Sequence, residues 1–178
     1  YLIIYFLLVS KIFAQDISIG AGVYTLSQPY ENVKNVVLPT PVLFFDNSLF
    51  YVRWSRAGVY FFGEKNKDYS WGFSLTTQPR VYGYDSSDIL GMKTKKKTWE
   101  SGLAFSAKSH GSYIEIMALT DIFDRYDSWV LKTEIGHLFK VKGITIAPSI
   151  IAVYQSSDFI NYYYGVSNEE SVTSKYSE

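Results

Sequence analysis

The chain has 178 residues, with 17 basic and 17 acidic side chains, two histidines and no cysteine. That length suits one domain with a substantial core. The balanced charge argues against nucleic acid or an anionic membrane surface as partner, and the lack of cysteine excludes disulfide scaffolds, thiol nucleophiles and cysteine-based zinc sites.

Aromatic residues are abundant, 16 Tyr, 12 Phe and 4 Trp, yet mean hydropathy is near zero. In chain order, an apolar run from Tyr1 to Val9 is followed by Ser10-Lys11 and Ile12-Phe13-Ala14. This reads as the core and cleavage region of a secretory signal peptide, residues 1–14, too short to span a bilayer as a helix. With no initiator Met and no basic stretch before it, the signal peptide is expected to be incomplete at its start. After Ala14 no run approaches eighteen apolar residues, which excludes a helical membrane protein.

From Asp16 the pattern has period two. Asp16 to Tyr24 sets Ile17, Ile19, Ala21 and Val23 against Ser18, Gly20 and Gly22. A long connection, 25–40, leads to Pro41–Phe45, an Asp46-Asn47-Ser48 turn, and two short strands within 49–63 broken at Ser55–Gly58. After the Glu64–Asp68 turn, Tyr69–Gln78 sets Trp71, Phe73 and Leu75 against small polar residues. A connection over 80–97 precedes the strand Thr98–Lys108, the turn Ser109-His110-Gly111 and the strand Ser112–Thr120, where Glu115 sits awkwardly. Residues 121–127 lead to Ser128–Leu138, a turn at Phe139–Gly143, a strand over Ile144–Tyr154 and a long connection over 155–170. No window of comparable length has a helical period.

Short and long connections therefore alternate, as in a transmembrane β-barrel with short periplasmic turns and longer outer loops. A soluble sandwich has no reason to sort its loops this way. The four tryptophans, Trp54, Trp71, Trp99 and Trp129, all fall at strand ends, where an interfacial girdle contacting outer-membrane lipid belongs. Lys108, Lys132, Glu100 and Glu134 share the inward parity of a polar lumen and are expected to pair across strands and plug a narrow barrel, the alternative being that they line a pore.

Little in the chain carries chemistry. His110 lies in a turn and His137 at a strand end on the lipid-facing parity, so neither serves an outer active site, and no enzyme, metal site or cofactor is expected. Asp121 to Asp127 holds three carboxylates and Arg125; it lacks the ligand spacing of a calcium loop and reads as a solvated loop with a local Asp–Arg pair. Lys93, Lys95, Lys96 and Lys97 end a long outer connection, where they would either meet lipopolysaccharide phosphates or simply keep the loop soluble.

The order of features resembles the MipA/OmpV family of outer-membrane proteins. The likeness is carried by Pro41–Phe45 with the Asp46-Asn47-Ser48 turn and Leu49–Val52, by Gly83–Asp88 with Leu90-Gly91-Met92, and by Ala118–Asp121. Its most specific part is Tyr162-Tyr163-Tyr164-Gly165-Val166-Ser167 with Glu169-Glu170. The resemblance implies a non-enzymatic antiparallel outer-membrane β-barrel that holds a lytic murein transglycosylase near a penicillin-binding protein. A small-solute channel, or a receptor or adhesin acting through its outer loops, is the alternative. Nine strands at most are countable, whereas such barrels close with an even number, so residues 15–178 are expected to be a single barrel domain lacking its last strands. The tyrosine triplet is expected above or at the outer membrane interface, followed by a Gly165 in a glycine-specific conformation and a solvated Asn168-Glu169-Glu170.

Overall fold

The computed structural model describes residues 17–26, 35–86, 88–142 and 144–176. The signal-peptide reading of residues 1–14 lies outside them. Nine strands form one sheet, each antiparallel to its neighbours: β1 (Ser18–Leu26), β2 (Val36–Asp46), β3 (Phe50–Arg53), β4 (Arg56–Lys65), β5 (Tyr69–Arg80), β6 (Thr98–Ser109), β7 (Ser112–Asp121), β8 (Trp129–His137) and β11 (Ser149–Gln155). Two short strands, β9 (Phe139–Val141) and β10 (Ile144–Ile146), pair with each other. Helices α1 (Ser157–Tyr164) and α2 (Asn168–Thr173) follow β11.

The alternation read from the sequence sets the two faces. Phe73, Leu75, Leu103 and Ile135 are exposed on one, while Ser74, Thr76, Glu100 and Met117 are buried on the other. Glu115 belongs to the buried parity with Met117 and Leu119. β4 bulges between Tyr60 and Phe62, so Phe61 and Phe62 both face outward as exposed rings.

The boundaries differ from the sequence reading in three places. β2 starts at Val36 and runs through Pro39 and Pro41. Trp54 N donates to Leu43 O at 2.9 Å, so odd-numbered residues of β2 turn their backbone groups toward β3. Both prolines share that parity and cost the β1–β2 ladder nothing. The break in 49–63 is a two-residue hairpin at Trp54-Ser55, with Trp54 at φ 58°.

The third difference lies at the predicted Phe139–Gly143 turn, where β9 and β10 carry the β8–β11 hairpin onward. Gly136 pairs with Ser149 and Phe139 with Ile146 in one continuous register. Only Ala147-Pro148 interrupts the ladder, because proline has no N–H to donate.

The sheet is strongly curled. β3 and β7 are four strand steps apart, about 19 Å on a flat sheet, yet Arg53 Nη1 reaches Glu115 Oε1 at 3.0 Å. Tyrosine rings lying over inner-face glycines assist the bend: a side chain at Gly58 would collide with the Tyr51 ring, and one at Gly136 with Tyr113. β1 and β11 run in the same direction and are not paired with each other. Among the described residues no helix is long and apolar enough to cross a membrane.

Candidate functional site

The concave face holds two polar clusters, one near mid-height and one at the long-loop end. The mid-height cluster centres on Glu115, whose side chain is only 4% exposed and takes ion pairs from Arg53 and Arg56. Arg53 also bonds Asp46 at 2.9 Å and Tyr60 Oη at 2.5 Å, and its guanidinium lies 4.2 Å from the centre of the Tyr51 ring. Arg56 Nη1 meets the Met117 sulfur at 3.2 Å. Three side chains from two opposed stretches of sheet thus form a strut across the concavity. Buried charges are tolerated when paired in this way.

At the long-loop end Glu100, fully buried, binds Arg80, accepts from Gln78 Nε2 at 2.9 Å and from Tyr126 Oη at 2.8 Å. The Arg80 guanidinium lies 4.7 Å from the centre of the Phe159 ring. Helix α1 is seated there: Phe159 and Tyr163, both fully buried, pack with Tyr82, Tyr126 and Val130. Burial pushes the Tyr163 and Tyr126 hydroxyls well above the ordinary phenol range.

Residues 155–170 are therefore a folded cap. Ser156 caps α1 by accepting from Phe159 N, and Phe159 and Tyr163, four apart, form the buried face. Ser167 and Glu170 form a reciprocal capping box that starts α2. The tyrosine triplet divides accordingly: Tyr163 is core, Tyr162 is partly buried with its hydroxyl accepting from Lys96 N at 3.1 Å, and Tyr164 is 38% exposed. Gly165 has an ordinary extended backbone, φ −71° and ψ 148°. Its reason is space, since an added Cβ would lie 2.5 Å from Asn161 O. Tyr163 is thus turned into the core of the cap rather than displayed at an interface, and Gly165 does not take the glycine-specific conformation expected of it.

Glu170, expected in solvent, is 2% exposed. It accepts from Lys93 N and Ser167 N, each at 2.8 Å, and lies 3.7 Å from Lys95 Nζ. Burial alone would raise its pKa, but those backbone donors, the Ser167 hydroxyl and the Lys95 charge together hold it down at about 2. Glu169 pairs with Lys93 Nζ at 2.6 Å on the surface. Two of the four clustered lysines are thus committed to the cap, while Lys96 and Lys97 remain exposed. Val166 packs with Tyr84, Ile89 and Met92 beneath α2.

Other sequence expectations are placed as follows. Trp99 and Trp129 are at the long-loop end, 40% and 49% exposed, with Trp129 stacked on Tyr154 at 5.2 Å; Trp54, 42% exposed, is not in that girdle, because its hairpin is level with Leu43, well below the start of β2. Trp71 is near the opposite end of β5, between Phe62 and Phe73. The 121–127 segment is organised by Asp121, which accepts from Phe123 N, Arg125 N, Tyr126 N and the Thr98 hydroxyl. No ion pair joins Arg125 to a loop carboxylate among the described residues.

The expected Lys108, Lys132, Glu100 and Glu134 pairing is replaced by arginine and tyrosine partners: Glu100 takes Arg80, and Glu134 accepts from Tyr113 Oη at 3.0 Å. Rigid guanidinium forks and phenols reach across inner faces that lysine leaves open. His110 bonds Ser109 in its turn, and His137 bonds Ser112 at the short-turn end. Among the described residues no group of three or more His, Asp or Glu side chains converges to hold a metal ion.

Comparison with known proteins gives a consistent set. The family model described as MltA-interacting protein MipA matches residues 19–178. The chain is similar to the putative outer membrane protein YiaT of Escherichia coli (strain K12), 25% identical over 164 residues, 89% of this chain and 65% of that protein. It is 26% identical over 160 residues to the MltA-interacting protein of the same strain, covering 88% of this chain and 64% of that one. The outer membrane protein OmpV of Vibrio cholerae serotype O1 is 26% identical over 116 residues, 65% of this chain and 45% of that one. The chain thus spans less than two thirds of the length of the curated relatives it matches. No solved structure matches it.

Proposed function

The chain belongs to the MltA-interacting protein MipA family and is an outer-membrane protein of the antiparallel β-barrel type; from that premise we propose that it is a non-enzymatic scaffold holding a murein transglycosylase on its periplasmic side. The observation that carries this reading is the Arg53–Glu115–Arg56 strut, completed by Asp46 on Arg53, which crosses the concave face at mid-height with two guanidiniums against two carboxylates. A wall braced across its interior is suited to holding partners, and poorly suited to passing solute. The partner's chemistry is taken from the name of the relative 26% identical to this chain. A penicillin-binding protein is proposed as the second member of the assembly.

The short-turn end faces the periplasm in barrels of this kind, and there the β9–β10 hairpin is the most prominent surface. Leu138 N bonds Gly111 O of the β6–β7 turn, so Val141 reaches about 10 Å beyond that turn. Phe139, Val141 and Ile146 are each half exposed along it, and Lys140 and Lys142 add charge. The test is affinity capture of the tagged full-length protein from envelope extracts. A murein transglycosylase should be enriched, and enrichment should fall when 139–146 is replaced by a tight turn. Capture without any murein enzyme contradicts the proposal. At the opposite end, contact with lipopolysaccharide phosphates is proposed for Lys96 and Lys97, whose exposed side-chain amines form no ion pair with the cap among the described residues.

A further inference from the structure

The lipid-facing side of the sheet is unevenly filled. Near the short-turn end one lateral row crosses four strands as Trp71, Ala107, Ile114 and Ile135, and the next row toward the turns is Tyr69, Ser109, Ser112 and His137. Both rows share the outward parity of Phe73 and Leu103, and small residues fall in their middle. Tyr69, Trp71 and Phe105 stand along one side of the gap, Ile114 and Ile135 along the other, and between them lies an open groove of about 550 Å³ over Ala107, Ser109 and Ser112. Small-ligand sites span roughly 300–1,000 Å³. Trp71, Phe105, Ala107 and Ile114 are half-buried there, whereas Phe73, Leu75 and Leu103 on the same face are exposed.

The two ends of the groove differ in chemistry. Toward mid-membrane it is closed by Phe105, whose ring packs 5.0 Å from that of Phe73. At the turn end it is lined by Lys108, which is exposed and has no ion pair among the described residues. Both histidines of the chain flank the β6–β7 turn at that end. His110 Nδ1 is engaged by the Ser109 hydroxyl at 2.8 Å and His137 Nδ1 by Ser112 at 2.9 Å, so each Nε2 is left without a hydrogen-bond partner among the described residues. The adjoining β4–β5 turn is balanced, Glu64 and Asp68 against Lys65 and Lys67, and the β9–β10 turn adds Lys140 and Lys142. The turn end is therefore net positive.

Short turns face the periplasm in such barrels, which puts the groove in the periplasmic leaflet with its cationic end at headgroup level. A groove on the lipid-facing surface is filled by the membrane itself, and an apolar slot ending in a lysine and two imidazoles matches an acyl chain followed by a phosphate.

We propose that this groove is a discrete binding site for one anionic glycerophospholipid of the periplasmic leaflet, with an acyl chain seated over Ala107 and the phosphate held at Lys108 and the two imidazoles. The site rests on the chain's place in the outer membrane and on no periplasmic partner, so lipid binding and partner capture fail separately.

The test uses the full-length protein carrying Trp54→Phe, Trp99→Phe and Trp129→Phe, which leaves Trp71 at the groove as the only emitter among the four tryptophans. It is reconstituted in phosphatidylcholine vesicles containing a minor share of phosphatidylglycerol, with bromine on the acyl chains of one lipid or the other. Quenching of Trp71 then gives the relative affinity of the groove for the two lipids. Phosphatidylglycerol should be preferred about five-fold, the size of one lysine contact at a membrane surface. Ala107→Leu, which fills the groove, should bring the ratio to near one. Lys108→Gln should lower the ratio while leaving quenching by brominated phosphatidylcholine unchanged. Leu75→Phe, on the same exposed face outside the groove, should change neither.

Only preparations showing the heat-modifiable folded band are compared. A ratio near one with the groove intact overturns the proposal without any groove variant. A preference that survives Ala107→Leu overturns it as well, since the charged turns alone would then be attracting the lipid.

Discussion

Glu115→Ala is the sharpest test of the mid-height strut. The carboxylate it removes is almost fully buried and is shared by two arginines, but the loss falls unequally on them. Arg53 keeps Asp46 at 2.9 Å and the Tyr60 hydroxyl. Arg56, with a side chain only 12% exposed, keeps the Met117 sulfur and no carboxylate among the described residues. Breaking a buried pair from one side costs about 3–5 kcal/mol because a charge is left uncompensated. With one arginine orphaned, the low end applies, about 3 kcal/mol.

Urea unfolding of the full-length protein in lipid vesicles, read by loss of the heat-modifiable band on gels, measures this loss. Glu115→Gln should cost less, since its amide oxygen still accepts. The double variant Arg56→Met with Glu115→Met should lie within about 1 kcal/mol of wild type, because it removes both halves of the pair together. A loss below about 0.5 kcal/mol for Glu115→Ala, the range of an ordinary surface change, would refute the strut.

The cap should respond to acid. Glu170 titrates at about 2 when folded, against an ordinary 4.5, so the stability it contributes is full above pH 4.5 and fades as pH falls toward 2. Near-ultraviolet circular dichroism from Tyr126, Phe159 and Tyr163 should show that step, and Glu170→Gln should lack it. Phe159→Ala empties a fully buried ring site, costing the cap about 3–5 kcal/mol; proteolysis after Gln155 should accelerate while the sheet keeps its heat-modifiable band. In vesicles containing bromine-labelled lipids, Trp99 and Trp129 emission should be quenched most by labels near the headgroups, and quenching deepest at mid-bilayer labels would contradict a girdle. Lys96→Gln with Lys97→Gln should weaken lipopolysaccharide binding more than Lys93→Gln with Lys95→Gln, because the latter pair is already neutralised by Glu169 and Glu170.

The strands were legible because period-two alternation reports burial on one face directly. Trp71, Phe73 and Leu75 needed nothing beyond their own spacing. What lay hidden were contacts between elements distant in sequence. Glu115 looked misplaced until two arginines some sixty residues earlier were found opposite it, a consequence of sheet curvature that local pattern does not encode. The helices after β11 were missed because α1 is only eight residues long and three consecutive tyrosines mask its period. The signals were present in Ser156 before an i, i+4 aromatic pair, and in Ser167 three residues ahead of Glu170. Glu170 looked solvated for the same reason: its partners, Lys93 and Lys95, lie in a loop more than seventy residues away.

Single-channel recording on the full-length protein in planar bilayers measures the account's main claim, an interior braced against solute flow. The braced barrel predicts a silent baseline for the wild-type protein, and for Glu170→Ala as well, since that substitution leaves the strut intact. Large, stable conductance steps from the wild-type protein would contradict it.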